Sequence, residues 1–255
     1  PAYGTDPGFV TSGATTSVAS AAHQNISGSL SAQTNVTFTT LKIAGAFGVT
    51  LATDQVMTVD GILKSGSNAG TISGAGTLAG IRASSGAELV IRPYSSGDTL
   101  TVSTPILDNG TSSLTKSGAG TLTLTAANTY TGITTVAAGT LTVSGTGSLE
   151  DTSLVTITGG TYNVSVNDSV GAVTLKNGAI GSTSILTGAS YAVENGTISA
   201  RLAGTGALVK STSGQVILSG VNTYEGGTSI TGGTLAVTGA GRLHDFGSIA
   251  ISGGG

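Results

Sequence analysis

Short runs of alternating apolar and polar residues fill most of this 255-residue chain from Thr34 onward. Val36-Thr37-Phe38, Leu41-Lys42-Ile43, Val49-Thr50-Leu51 and Val56-Met57-Thr58-Val59 come first. Leu89-Val90-Ile91 and Leu100-Thr101-Val102 follow a stretch rich in glycine and serine. A period of two sends successive side chains to opposite faces, so runs bounded by Gly, Asn or Asp read as strands joined by turns. Leu122/Leu124, Leu141/Val143 and Val155/Ile157 are expected inward, with Thr121, Thr123, Thr140, Thr142 and Thr156 outward. Apolar residues nowhere recur at helical spacing over three turns, so no helix is predicted. Residues 1–33 lack clear alternation and read as a leader, linker arm or cap ahead of a strand-built body at 34–255.

That body repeats itself. Residues 114–160 return at 208–254 without a gap, at an offset of about 94 residues and with roughly two in five positions identical. Shared positions include Leu114/Leu208, Lys116/Lys210, Asn128-Thr129-Tyr130/Asn222-Thr223-Tyr224, Gly139-Thr140-Leu141/Gly233-Thr234-Leu235 and Asp151/Asp245. Short strands at this spacing could form a sandwich, a barrel or a solenoid. Conservation of the turns between copies, and Gly and Asn at matched positions suited to left-handed corners, favour the solenoid. The scarcity of aromatics suits a narrow tube filled by aliphatic side chains. The expected fold is all-β, a right-handed parallel β-helix of about a dozen coils, a rod about 55–60 Å long at ~4.8 Å per coil.

Composition narrows the function classes. Only 8% of residues are charged and the net charge is −3, so no basic field exists to attract nucleic acid or anionic lipid. Glycine numbers 42 without a Gly-X-Y period, which excludes collagen. There is no cysteine, and no apolar run approaches the roughly 18 residues of a membrane helix, so no membrane insertion is expected in this segment. The chain opens on Pro1 and stops inside a repeat, which reads as a piece of something longer.

The pattern L-x-K-x-G-x-G-x-L-x-L-x-G-x-N-T-Y-x-G-x-T-x-[VI]-x-x-G-T-L-x-V stands at 114–143 and 208–237. It resembles the autotransporter-associated β-strand repeat, also called the passenger-associated transport repeat. Departures are small: Ala126 stands for the usual Gly in the first copy, and Ser213-Gly214-Gln215 alters the Ala-Gly step in the second. The resemblance implies a bacterial secreted or surface-displayed passenger, a β-helical stalk within a longer polypeptide. It carries no catalytic residue to transfer.

Candidate chemistry is sparse. Asn128 and Asn222 could be ligand-binding amides, but an asparagine at a coil corner bonds the backbone of its turn, and that structural reading is preferred. Tyr130 and Tyr224 could stack on sugars; a tyrosine covering the edge of the tube is preferred. Gly139 and Gly233 complete the set of structural repeat positions. Lys116 and Lys210 read as lysines that solvate a coil and deter edge pairing. Asp54 and Asp60 are isolated, and Glu150 and Asp151 would point to opposite faces, so no converging carboxylates suggest hydrolysis. The two histidines lie far apart in sequence, and no metal motif or phosphate-cradling loop is found. No catalytic, cofactor or metal site is therefore assigned, and the chain is not expected to be an enzyme. The expected function is an extracellular structural stalk or filament segment at a bacterial cell surface, with a carbohydrate- or surface-binding adhesin passenger as the alternative. Expected partners are further copies or turns stacked end to end, and surface glycans.

Overall fold

The computed structural model describes residues 9–13, 15–244 and 247–252. Among them every regular element is a strand, and every strand pairing is parallel. The chain climbs by alternating between two sheets. One sheet runs from Phe9–Ser12 to Ile249–Ile251 along a path of thirteen strands; the other has eleven, from Leu30–Gln33 to Thr234–Val237. Two strands lie off the main path: Gly80–Arg82 pairs with the first half of Val56–Ser65, and Arg201–Ala203 with the first half of Ile185–Val193. Each circuit adds one rung to each sheet, which defines a parallel β-helix. Thirteen rungs at ~4.8 Å make a rod about 55–60 Å long.

The ladders begin before residue 34. Ala21–Ile26 pairs with Val36–Ala44, and Leu30–Gln33 pairs with Gly48–Leu51. Part of the arm expected at 1–33 is therefore built into the stack; residues 1–8 lie outside the described ones.

Parallel pairing in register makes inward side chains pile into columns. Leu100, Leu122, Leu141, Tyr162, Ile180, Ile198 and Leu218 form one, all 0–1% exposed. The threonines between them face outward, as alternation predicts. Each fully buried aliphatic contributes roughly 1.5–3 kcal/mol. The same registers explain the sequence repeat. Leu114 connects to Leu208 through Thr134, Val155, Val173 and Tyr191, which is five rungs. One repeat period is thus five coils. In this sheet the second copy sits on the first copy's column; in the other, five rungs carry Leu122 to Leu218, two residues past its repeat partner Val216.

The interior departs from the expected aliphatic filling. Tyr130, Tyr162, Tyr191 and Tyr224 are fully buried, together with Lys64, Lys116 and Lys210. Tube width is set by these large side chains as well as by Leu and Val, and their polar ends reach partners at the corners.

Candidate functional site

The residues that define the repeat converge on the corners of the coil. Asn128 occupies an inward corner column in which Ile106 lies one rung below and Leu149 one rung above. Its Oδ1 accepts the Ile106 N–H at 3.0 Å, while Nδ2 donates to Ala126 O at 3.1 Å and Ser148 O at 2.6 Å. Asn222 repeats this: Oδ1 accepts Leu202 N–H, and Nδ2 donates to Gly220 O and Arg242 O, all at 3.0 Å. One amide thus ties three successive coils where the strand ladder is interrupted. Both asparagines are nearly buried, at 5% and 1% exposure, and both fill three of the four bonding positions an amide offers. The left-handed conformation expected at these corners is absent from both; it occurs at the glycines instead, Gly139 (φ 64°) and Gly233 (φ 68°) among them.

Tyr130 and Tyr224 point into the tube. Their hydroxyls meet Thr134 Oγ1 at 2.7 Å and Thr228 Oγ1 at 2.6 Å, four residues later. Thr134 and Thr228 are themselves inward and buried, between aliphatic neighbours such as Leu114 and Val155. At 0% and 1% exposure the tyrosine rings cannot stack on a sugar, and they do not cover the outer edge of the tube. The cause is geometric: the Asn-Thr-Tyr corner turns the third residue inward, where a threonine hydroxyl pairs with the phenol. Burial holds both phenols above their ordinary pKa, with the threonine contact opposing it.

The lysines also correct the expectation. Lys116 and Lys210 lie in an inward column, Ile91–Lys116–Val136 and Val193–Lys210–Ile230, and are 0% exposed. Alternation places them inside because their position is two residues beyond an inward leucine. Lys116 Nζ donates to the carbonyls of Ser117 (2.8 Å), Gly118 (2.9 Å) and, 22 residues on, Ala138 (2.8 Å). Lys210 Nζ likewise reaches Thr212 O in its own coil and Gly232 O, 22 residues on, at 3.2 Å. Burial lowers the Lys116 ammonium to about 8, and the Arg92 charge adds to this; burial lowers Lys210 as well, with Glu194 opposing. A Cβ on Gly139 would collide with the carbonyls of Gly118 and Gly120 and come within 2.7 Å of Lys116 Nζ; Gly233 stands to Lys210 in the same way. Lysine and glycine therefore form one corner device. Lys64 is a variant: it donates to Ser65 O at 2.9 Å, lies 3.5 Å from Asp98 Oδ1, and packs its stem against Gly70, where a Cβ would come within 2.9 Å of Lys64 Cε.

Asp168 was not anticipated. It lies in the same corner column as Asn128 and Asn222, one rung above Leu149, whose N–H approaches its carboxylate oxygens at 3.2 and 3.4 Å. Tyr162 donates its hydroxyl to Oδ2 of the same carboxylate. Burial raises this carboxyl to about 6 against the opposing hydrogen bonds, with the charge of Asp151 adding to the rise. The sequence signal was the column itself, readable only once the coil lengths are known.

The remaining carboxylates shape turns. Asp54 accepts Leu78 N–H at 3.0 Å, Asp60 accepts Ser84 N–H at 2.7 Å, and Glu150 accepts Thr152 N–H at 2.8 Å. Asp151 is exposed and Asp245 lies outside the described residues. Among the described residues no three His, Cys, Asp or Glu side chains gather as a metal site would require, and no helix is long and apolar enough to cross a membrane.

These features define a class: a parallel β-helix whose repeat encodes bonds between coils. Residues 114–143 and 208–237 match the family model of the passenger-associated transport repeat, so the chain is an autotransporter-passenger repeat protein. It is also similar to the adhesin BmaC autotransporter of Brucella suis biovar 1 (strain 1330), with 34% identity over 223 residues. That match takes in 80% of this chain and 6% of the adhesin, so the chain spans a small part of its relative's length. No solved structure matches it.

Proposed function

We propose that this chain is a segment of an extracellular stalk at a bacterial surface, a rigid β-helical spacer whose role is mechanical. The observation that carries this reading is the use of the repeat's most distinctive side chains. Asn128, Asn222, Lys116 and Lys210 all bond one coil to the next and present nothing to a ligand. Similarity to an autotransporter adhesin supports the surface location. A non-catalytic role agrees with carboxylates committed to turn N–H groups.

Association end to end is part of the same proposal. The strand Ile249–Ile251 is an outer rung among the described residues, and Ile249 and Ile251 are 57% and 71% exposed. Such a ladder edge accepts another strand, from further coils or from a second copy. A second reading, an adhesive passenger, is favoured by the relative's designation as an adhesin.

The spacer reading is tested by deleting residues 114–207, one period of five coils, from the chain displayed on a bacterial surface. Because Leu114 and Leu208 share a column, the ladder should close in register. An epitope at the free end should then approach the membrane by about 24 Å, five rungs at ~4.8 Å. An unchanged height with full display would overturn the spacer role; lost adhesion at unchanged height would favour the adhesive reading.

A further inference from the structure

We propose that a cleft on the flank of the early coils binds an acidic saccharide, through the carboxylate of a uronic acid unit. The cleft encloses about 510 Å³. It forms where the strand Gly80–Arg82 pairs with the first half of Val56–Ser65, setting Thr37, Thr58 and Arg82 in one outward column. Arg82 Nε donates to Thr58 Oγ1 at 3.2 Å, which orients the guanidinium and leaves its two terminal nitrogens for a ligand. Among the described residues Arg82 makes no ion pair, although Asp54 lines the same cleft. Asp54 is held away by the Leu78 N–H on Oδ1.

The cation is notable in its setting. The chain has nine Lys and Arg in 255 residues, and three of the lysines are buried in the core. An arginine fork matches a carboxylate with two parallel hydrogen bonds, which a neutral sugar cannot supply. The other walls suit the rest of a sugar ring. Leu78, 65% exposed, offers an apolar surface to ring C–H groups, and Thr37 and Thr58 offer hydroxyls. Asn35 commits Oδ1 to Val56 N–H at 2.7 Å, so its Nδ2 is left as a donor. The Oδ2 of Asp54 can accept a sugar hydroxyl. The site does not depend on the spacer reading, because a stalk with no ligand would need none of it.

The test is an NMR titration of the full chain with the tetramer of galacturonic acid, beside its methyl ester, which keeps the shape and removes the charge. The acid should shift resonances of Thr37, Thr58 and Leu78 at millimolar concentration, and the ester should bind at least about tenfold more weakly. Arg82→Gln should abolish the shifts without changing Tm, and Arg82→Lys should restore only part of the affinity. Equal binding of acid and ester, unchanged binding by Arg82→Gln, or no shifts with the acid would each overturn the proposal.

Discussion

At the scale of single residues, the corner column decides how the coils hold together. Its occupants run Ile106, Asn128, Leu149, Asp168, Leu186, Leu202 and Asn222, so the polar members recur among aliphatics. Asn128→Ala would strand the Ile106 N–H and remove a donor from Ala126 and Ser148. The expected cost is about 2–4 kcal/mol, read as a loss of thermal stability and faster amide exchange at Ile106. Asp168 behaves in the opposite sense. Its folded pKa, about 6, is raised above its unfolded value, so between roughly pH 4 and 6 the folded state keeps a proton that the unfolded state has released. Stability from this group therefore falls as pH rises through that window, by roughly 2–3 kcal/mol in all. Asp168→Asn should be more stable than the parent at pH 7.5 and match it near pH 4. Parallel melting curves for the two proteins check this, and equal Tm values at pH 7.5 would contradict it.

Elements come next in scale, and here the corner device links two strands of successive coils. Gly139→Ala needs a left-handed backbone and also drives a methyl group against Lys116 and two carbonyls. A loss of about 3 kcal/mol or more is expected, against about 1–2 kcal/mol for Gly145→Ser, which bears the left-handed strain alone because its added Cβ meets nothing closer than 3.8 Å. Denaturant melts of the two variants compare them directly. Strand positions were legible in the sequence because alternation along Leu122-Thr123-Leu124 or Leu141-Thr142-Val143 maps straight onto inward and outward faces. The lysines were not legible, since a charge reads as solvent-facing unless its bonding partners are known. Lys116 finds them in Gly118 and Ala138, a turn and a neighbouring coil, which only the fold brings together. Tyr130 hid for the same reason: its partner Thr134 was visible in the repeat pattern, but nothing local said that both point inward. The cleft around Arg82 draws on Ser20, Asn35, Asp54 and Leu107, far apart in sequence, and no motif marks it.

For the whole molecule, the stack makes shape a property of coil number. Two copies of the repeat sit five rungs apart, on the same columns in one sheet and two residues apart in the other, so removing one period joins strands with the same inward positions and removes length. A sandwich or closed barrel would not survive such a cut, because its strands pair with partners fixed by topology. A solenoid sums its stability over neighbouring coils and tolerates it. Small-angle scattering of the intact chain and of the protein lacking residues 114–207 measures this most directly. Stacked coils predict a rod about 55–60 Å long that becomes about 24 Å shorter at the same cross-section. A compact particle, or a deletion that unfolds or thickens the molecule at unchanged length, would contradict the account.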